Sequence, residues 1–318
     1  MATAAMSPSD ARRGVLVVGS VNVDLTTFSD RLPVPGETIT GREFTVVLGG
    51  KGANQVVAAG LAGAPASMVG CVGQDGFGDL AIESLRVAGV DLTHLQRLET
   101  RTGIAHIRVD AAGENNIVVV PLANGELDIP QIDEAFASCA TTHAVLLTQL
   151  ETPYRLTLHT LQQARAAGMI TILDPAPARE LDPAIWPQVS VVTPNETEAR
   201  LLCGIAVDDD ESAAAAGRWF IERGVEYAVI TRAGQGSTVV DAGSVRHVPA
   251  IPVTPVDTTA AGDAFSGYLG ARLAAGDDIV AAVRVATAAG ALTVTRAGAS
   301  PSLPAASEVE ALLASVGA

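Results

Sequence analysis

Short runs of apolar residues recur along this 318-residue chain, and helical patterns separate several of them. A continuous apolar run of this length suits a strand that is buried on both faces of a sheet. The runs lie at residues 15–18, 144–147, 170–173, 189–192 and 228–230. The helical patterns at residues 156–167, 196–203 and 211–223 are each followed by glycine, the usual residue after a helix. This alternation predicts an α/β fold of three layers, in which helices cover both faces of a mostly parallel sheet.

Two segments depart from this alternation. Residues 22–48 contain Pro33, Pro35 and Gly36, followed by short β-prone pieces, and residues 99–121 alternate in part around a turn. Both patterns favour antiparallel ribbons over strand–helix–strand units. We therefore expect a small β-sheet lid that is inserted twice into the main α/β domain of residues 14–318. A disordered tail is expected at residues 1–13.

The acidic balance of the chain restricts the partners that it can bind. The formal net charge is −15, and a surface of that sign repels nucleic acid and anionic membranes. ATP would be repelled as well, so a nucleotide site would need local compensation from Mg²⁺ and from backbone N–H groups. We therefore expect neither nucleic acid nor a membrane as a partner.

The distribution of cysteines, histidines and apolar segments argues against further classes of protein. Cys71, Cys139 and Cys203 are an odd, widely spaced set without a Cys-x-x-Cys pair, which argues against a disulfide framework and a cysteine zinc site. The five histidines are scattered along the chain. The apolar run at residues 15–18 is far too short for a signal peptide or a membrane span, so a cytoplasmic location is expected.

Small residues precede a predicted helix after residue 257. Thr-Thr-Ala-Ala-Gly at residues 258–262 brings several backbone N–H groups to the helix N-terminus, where the helix dipole favours an anion such as phosphate. Asp263 lies in the first turn of this helix. It is either an acidic residue that only complements the dipole or a functional carboxylate, and the motif alone supports both interpretations.

Two further polar stretches open predicted helices. The glycine-rich stretch around Lys51 is not a Walker A loop, which would need glycine in place of Thr45 and serine or threonine after the lysine. Lys51 and Asn54 are therefore donors to sugar hydroxyls or polar residues of an ordinary turn. Asn195 and Glu198 form either a capping box or a site for phosphate and hydrated Mg²⁺.

Polar side chains also follow two of the predicted strands. Asn22 and Asp24 come just after the first apolar run, and Glu151 follows the run at residues 144–147. Ligands of open α/β sheets bind outside the carboxyl ends of the strands. We therefore expect these three side chains to converge with Asp263 on one crevice.

Six motifs occur in the order that is typical of one enzyme family. They are Gly-Ser-Val-Asn-Val-Asp at residues 19–24, Pro-Gly-Glu-Thr at 35–38, Gly-Gly-Lys-Gly-Ala-Asn-Gln at 49–55, Asp-Pro-Ala-Pro at 174–177, Thr-Pro-Asn-Glu-Thr-Glu at 193–198 and Asp-Thr-Thr-Ala-Ala-Gly-Asp at 257–263. On these motifs the chain resembles the ribokinase (PfkB) family of carbohydrate kinases, from Val15 to Pro304. Each motif alone is weak or moderate, but six in order are specific.

The resemblance implies which residues act on the sugar. Asp263 would be the general base that takes the proton from the sugar hydroxyl. The backbone of Ala260, Ala261 and Gly262 would form an anion hole for the transferring phosphoryl group. The sugar would be held by Asn22, Asp24, Gly50, Lys51, Asn54, Glu151 and Asp263.

The resemblance also implies sites for the nucleotide and for cations. ATP, with Mg²⁺, would be bound by Asn195, Glu198, Thr231, Gly234, Gly236, Gly262 and Thr287. A monovalent cation, usually K⁺, would be held by side-chain oxygens of Asp257 and Ser302 and by backbone carbonyls of Thr259, Thr293, Arg296 and Gly298. This cation would order the loop of the anion hole. The fold implied is ribokinase-like, and the lid would pair two subunits into a homodimer.

Two positions depart from the pattern of the family. Leu122 stands where glycine is common, near the return of the lid, and this change affects either the pocket or the lid hinge. Thr287 stands on the helix that would face adenine, where histidine or asparagine is frequent. This second departure concerns the recognition of the base and leaves the use of ATP intact.

The activity that the resemblance implies is ATP-dependent phosphorylation of D-ribose at its 5-hydroxyl, giving ribose 5-phosphate and ADP. Kinases of 2-deoxyribose, of fructose or of a nucleoside are alternatives. A nucleoside base usually stacks on aromatic side chains, whereas the lid segments offer Phe28 and Phe44 and the proposed pocket is polar. A catalytically inactive sugar-binding regulator would be expected to have lost Asp263 or Gly262, and both are present.

Overall fold

Two β-sheets and their flanking α-helices make up residues 12–317, the residues that the computed structural model describes. The strands are β1 (Gly14–Val18), β2 (Asn22–Phe28), β3 (Glu43–Gly49), β4 (Ala66–Gly73), β5 (Asp91–Leu98), β6 (Gly103–Val109), β7 (Asn115–Val120), β8 (His143–Thr148), β9 (Ile170–Leu173), β10 (Val191–Val192), β11 (Tyr227–Thr231), β12 (Ser237–Val240) and β13 (Val245–Val248). The helices are α1 (Lys51–Leu61), α2 (Gly76–Val87), α3 (Ile129–Cys139), α4 (Thr157–Ala166), α5 (Glu196–Cys203), α6 (Asp210–Ile221), α7 (Ala261–Ala275), α8 (Ile279–Thr293) and α9 (Ala306–Ser315).

The predicted tail is described only at its end. Residues 1–11, most of that segment, lie outside the described residues. The guanidinium of Arg12 donates hydrogen bonds to the backbone carbonyls of Ala140 and Ala167. The chain is therefore attached to the main body of the molecule from Arg12 onward.

The larger sheet has the strand order β13-β12-β11-β10-β9-β8-β1-β4-β5. All pairs from β11 to β5 are parallel, whereas β12 is antiparallel to both of its neighbours. Parallel neighbours require crossover connections, and the intervening helices supply them. The predicted α/β class with a mostly parallel sheet is confirmed.

Strand β1, in the interior of the larger sheet, shows the three layers. Val15 and Val17 pack into a core that α1, α7 and α8 also line. Leu16 and Val18 point the other way, into a second core that contains residues of α3, α4 and α6. All four side chains are buried, because successive residues of a strand point to opposite faces and helices cover both.

The apolar runs and helical patterns predict the elements well, with small differences at their ends. The run at residues 189–192 forms a strand only at Val191–Val192. Val189 lies outside the strand because its N–H donates to the carbonyl of Trp186 and closes a 3₁₀ turn. The predicted helix at residues 211–223 begins at Asp210 and ends at Ile221.

The two segments that depart from the alternation form the smaller sheet. Its order is β3-β2-β6-β7, with antiparallel pairs at both ends and a parallel pair between β2 and β6 in the middle. The sheet therefore joins the two predicted ribbons side by side. Asn22 pairs with Gly49 and with Gly103, so the start of β2 lies at the centre of the sheet.

Helices α1 and α7 lie against each other beside the carboxyl ends of β1 and β8. A side chain on Gly267 would overlap the carbonyl of Gln55 and the methyl group of Ala58. Glycine at this position thus allows the two helices to approach closely, and their N-terminal turns meet as a result. No helix among residues 12–317 is both long enough and apolar enough to cross a membrane.

Candidate active site

Asp263 is held by two amide side chains of α1. Asn54 Nδ2 donates to one carboxylate oxygen, Oδ2, at 2.9 Å, and Gln55 Nε2 donates to the other, Oδ1, at 3.1 Å. Asp263 is only 5% exposed, and it lies in the first turn of α7. The carboxylate is therefore fixed in orientation, as a residue that must meet one substrate atom requires.

A second carboxylate, that of Asp174, lies beside Asp263. Gln55 Nε2 donates to Asp174 Oδ2 at 2.8 Å, and Lys51 Nζ lies 3.6 Å from the same oxygen and 3.9 Å from Asp263 Oδ1. Burial raises the pKa of Asp174 to about 7; the cation of Lys51 opposes this shift, and the charges of Glu198 and Asp263 add to it. Sequence reasoning noted Asp174 only as part of a motif and gave it no role.

Lys51 is the cation at the centre of this group. Burial by itself lowers the pKa of Lys51, but the carboxylates of Asp174 and Asp263 raise it by more. The pKa therefore lies above its ordinary value, and the side chain is a stable ammonium group. A cation at this point offsets part of the negative charge that would otherwise repel a phosphate.

The residues on β2 form the polar end of the site. Asn22 is buried, and its Oδ1 accepts a hydrogen bond of 2.8 Å from Asn124 Nδ2. Burial raises the pKa of Asp24 to about 7, with contributions from Glu151 and Asp263. A side chain on Gly49, which lies opposite Asn22 on β3, would overlap the carboxyl group of Asp24. Glycine is thus required beside this acid.

Glu151 links the ends of two strands to helix α1. Its Oε2 accepts hydrogen bonds from the Ser20 hydroxyl at 2.6 Å and from the Lys51 backbone N–H at 3.1 Å. Gly50 precedes the helix with a φ of 87°, a backbone conformation that favours glycine, and it offers no side-chain cap. The carboxylate of Glu151 therefore takes the place of a capping residue at the start of α1.

A cavity of about 200 Å³ lies next to Asp263, at the N-terminus of α7. It brings together the predicted residues Lys51, Asn195, Glu198, Thr231, Ala260, Gly262 and Asp263. Asp174, Thr193, Thr258, Phe265 and Ser266 line it as well, and these were not predicted as site residues. The Thr193 hydroxyl is buried and has no hydrogen-bond partner among the described residues, so it is available to a ligand.

The N-terminus of α7 opens toward this cavity. Ala260 precedes the helix with a φ of 60°, and the Ala264 N–H makes the first helical hydrogen bond to the Ala260 carbonyl. The first N–H groups of a helix have no partner within the helix. With a positive helix dipole behind them, they form a site that stabilises an anion.

Of the two roles that the sequence left open for Asn195 and Glu198, the structure contains the capping box. Asn195 Oδ1 accepts from the Glu198 N–H, and Glu198 Oε2 accepts from the Asn195 N–H, both at 2.9 Å, which completes a capping box on α5. Both residues also line the cavity. Burial raises the pKa of Glu198. The cap orients these two side chains toward the space in which a phosphate would lie.

The other residues predicted for the nucleotide are more spread out. Gly234 and Gly236 lie in the turn after β11, and a side chain on Gly236 would overlap the carbonyl of Val248. The Thr287 hydroxyl donates to the Val283 carbonyl within α8. None of these three residues is among those that line the 200 Å³ cavity.

The residues predicted for the monovalent cation join two loops. Asp257 accepts hydrogen bonds from the Thr259 N–H at 2.9 Å and from the Gly298 N–H at 2.8 Å. Burial raises the pKa of Asp257, but these backbone donors lower it by more, so the carboxylate is ionised. Thr293 and Ser302 are fully buried. An ionised carboxylate among carbonyl-rich loops has the oxygen chemistry that K⁺ requires, and the residues present fit such an ion.

Leu122 adopts a backbone conformation that is rare for leucine. Its φ is 46°, in the left-handed region that favours glycine. It begins the 3₁₀ turn that carries Asn124, whose side chain bonds to the backbone of Val21. This geometry explains why glycine is common at this position in the family that the sequence resembles.

Comparison with known proteins gives a consistent result. A family model described as pfkB family carbohydrate kinase matches residues 12–306. A ribokinase of Haemophilus influenzae is 36% identical over 294 residues, which cover 92% of this chain and 96% of that protein. A deoxyribokinase of Salmonella typhi is 34% identical over 292 residues, covering 91% and 95%.

Solved structures extend the likeness to three dimensions. The structure of Arabidopsis thaliana ribokinase complexed with ribose and ATP has a TM-score of 0.87 to this chain at 28% sequence identity. The alignment covers 95% of this chain and 99% of that one. The similarity therefore extends over both sheets and the helices between them.

Proposed function

Because the chain belongs to the pfkB family of carbohydrate kinases, we propose that it transfers the γ-phosphoryl group of ATP to the 5-hydroxyl of D-ribose. One observation carries the proposal. Asp263 lines the cavity at the N-terminus of α7, where Asn54 and Gln55 hold its carboxylate and Lys51 Nζ lies 3.9 Å from its Oδ1. A ribokinase relative and a neighbour complexed with ribose and ATP support this pair of substrates.

Asp263 is the general base of this reaction. Its carboxylate accepts the proton of the 5-hydroxyl as that oxygen attacks phosphorus, and Asn54 and Gln55 hold it for this task. Positioning and charge stabilisation are the main requirements of phosphoryl transfer. The sugar is held by Asn22, Asp24, Gly50, Lys51, Asn54 and Glu151.

The backbone at Ala260, Ala261 and Gly262 forms the anion hole. Helix N–H groups that face the transferring phosphoryl group stabilise charge as it spreads over the phosphoryl oxygens. The ammonium group of Lys51 adds a positive charge in the same cavity. Together these groups counter the repulsion expected from a net charge of −15.

The remaining residues serve the nucleotide and two cations. Asn195, Glu198, Thr231, Gly234, Gly236 and Thr287 bind ATP, with Mg²⁺ held near Asn195 and Glu198. Mg²⁺ neutralises phosphate charge in reactions of this class. A K⁺ ion would be held by Asp257 and Ser302 with carbonyls of Thr259, Thr293, Arg296 and Gly298, and its positive charge would stiffen the loop that precedes α7.

The enzyme is a cytoplasmic homodimer in this proposal. Strand β7 forms an edge of the smaller sheet, and its residues Ile117, Val118, Val119 and Val120 are all exposed. An exposed apolar edge of this kind favours pairing with another chain. Cys71, Cys139 and Cys203 are free thiols, which is typical of a reducing compartment.

An ADP-release assay with Mg-ATP and K⁺ tests the substrate. Ribose, 2-deoxyribose, fructose and adenosine are compared, because a deoxyribokinase is also similar to this chain. The highest kcat/KM is expected on ribose, with a loss of rate when Na⁺ replaces K⁺. A higher kcat/KM on 2-deoxyribose would leave the proposed mechanism unchanged and would show that 2-deoxyribose is the preferred substrate. Absence of turnover on every sugar would contradict the proposed activity.

A further inference from the structure

We propose that Gln149 is a positioning residue for the phosphoryl transfer, because it fixes the amide of Gln55 and Gln55 in turn orients Asp263. The inference rests on the proposed function, in which Asp263 accepts the proton of the sugar. Gln149 follows β8 directly, on the strand end that also carries Glu151. It lines no part of the cavity beside Asp263, so it acts only through its neighbour.

A continuous chain of hydrogen bonds connects the three residues. Gln149 Nε2 donates to Gln55 Oε1 at 2.6 Å. Gln55 Nε2 then donates to both carboxylates, to Asp174 Oδ2 at 2.8 Å and to Asp263 Oδ1 at 3.1 Å. Gln55 and Gln149 are both fully buried or nearly so, and water cannot replace these contacts without opening the core.

The two carboxylates determine which way each amide must face. An ionised carboxylate only accepts hydrogen bonds, so Gln55 must turn its NH₂ group toward the base Asp263, and the same group reaches Asp174. Its carbonyl oxygen then faces Gln149, which must present its own NH₂ group. A residue without a donor at position 149 would remove this constraint and allow the amide of Gln55 to rotate.

The orientation of Gln149 leaves one of its own polar atoms buried and unpaired, which costs stability. Its own carbonyl oxygen, Oε1, is buried without a hydrogen-bond partner among residues 12–317. A side chain on Gly19 would overlap that oxygen. An apolar residue at position 149 would avoid the unpaired oxygen, and we infer that the donor is kept for its action on Gln55.

Charged groups from four elements surround Asp263, and each contributes to its environment. Lys51 lies on α1, Asp24 on β2 and Glu198 on α5, while Asp174 follows β9. These charges are the same in a variant that changes only Gln149. In Gln149→Met, which adds no charge, a change of kcat therefore reports the orientation of Asp263.

Two substitutions test the donor. In Gln149→Met the shape is kept and the donor is lost, so kcat on ribose should fall about tenfold at all pH values, with the KM for ribose within about twofold of the wild type. In Gln149→Glu the protonated acid can donate to Gln55 Oε1, but the ionised form cannot. Burial close to the carboxylates of Asp174 and Asp263 favours the protonated form of this glutamate. The ratio of its kcat to that of the wild type should therefore be highest at low pH and fall as the pH rises.

Gln131→Met provides the matched control. Gln131 is an equally buried amide that donates to the carbonyls of Gly70 and His94, in the other core. This variant should lose thermal stability and keep its kcat. Gln149→Met with wild-type kcat and only a lower Tm would overturn the proposal, as would a pH-independent ratio for Gln149→Glu. Failure of the wild type to phosphorylate any sugar would instead overturn the proposed function, and this inference with it.

Discussion

At the scale of single residues, the surroundings of Asp24 disfavour its ionised form. Burial raises its pKa to about 7 from an ordinary 3.8, and Glu151 and Asp263 add to the shift. The folded chain therefore holds Asp24 protonated over a range of pH in which the unfolded chain ionises it. Stability linked to this group is fully present below pH 4 and is lost as the pH rises toward 7 and above.

Replacement of Asp24 by asparagine should therefore stabilise the protein at high pH. In urea unfolding at pH 8, Asp24→Asn should gain about 2 kcal/mol over the wild type, and the gain should shrink as the pH is lowered to 5. The same variant should raise the KM for ribose. Asp75 is the control, because its linkage to stability has the opposite sign. Hydrogen bonds from Thr102 and Gly78 outweigh its burial and lower its pKa. Asp75→Ala should lose stability at pH 8. Equal stability of Asp24→Asn and wild type at pH 8 would contradict the linkage.

Asp263 is the residue on which the proposed chemical step depends. Asp263→Asn keeps the shape of the side chain but cannot accept the proton, so kcat should fall between about 10²-fold and 10⁴-fold. Binding of ribose, measured by calorimetry, should change by less than about tenfold. Asp91→Asn, at the start of β5 and bonded to Ser67, should keep the wild-type kcat. Full turnover by Asp263→Asn would refute the role of the base.

Much of the candidate site could be predicted from short motifs, and the rest depends on tertiary contacts. Lys51, Asn54 and Asp263 belong to stretches of unusual local composition at helix starts, and the structure brings them together. Asp174 and Gln149 carry no such local signal. Asp174 acquires its place from the pairing of β9 with β8, and Gln149 from the approach of the end of β8 to Gly19 and to Gln55 of α1.

At the scale of elements, the turn that begins at Leu122 is strained. A left-handed backbone costs about 1 kcal/mol for a residue with a side chain and almost nothing for glycine. Leu122→Gly should therefore be more stable than Leu122→Ala by about 1 kcal/mol in urea unfolding, although glycine is normally the less stable of the two. Ala123→Gly, one residue later, should show the normal order and lose stability. The opposite order at position 122 would show that the turn is relaxed.

Strand β7 presents apolar side chains on an unpaired edge. Val118 is 54% exposed there, and a charge at this position should prevent two chains from pairing. Sedimentation velocity should find the wild type as a dimer and Val118→Lys as a monomer. Val245→Lys, on the edge strand β13 of the larger sheet, should remain a dimer. A monomeric wild type at micromolar concentration would contradict the proposed assembly.

The helices and strands could be predicted from the periodicity of the sequence, whereas the arrangement of the strands could be predicted only in part. The buried strands appear as apolar runs because helices cover both faces of the larger sheet. The antiparallel ribbons at residues 22–48 and 99–121 could be recognised, but the parallel pairing of β2 with β6 joins segments far apart in the chain. No local pattern specifies such a pairing, and only the closed architecture determines it.

At the scale of the whole molecule, the site spans the two sheets. Asn22 and Asp24 lie on β2 of the smaller sheet, while Lys51 and Asp263 lie on helices that cover the larger one. A sugar bound to both groups, as we propose, would tie the sheets together. Its binding energy then opposes every local opening that separates them.

Hydrogen exchange can therefore detect the sugar at a distance from its contacts. Ribose should slow exchange of backbone amides in β6 and β7, which pair with β2 directly or through one strand, whereas α3 on the far face should be unchanged. A nucleotide analogue alone should instead protect residues 231–236 and 257–262. In Asp24→Asn, ribose should lose its effect on β6 and β7 while the effect of the nucleotide remains. Equal protection of both regions by either ligand would mean that the two sheets already move as one body.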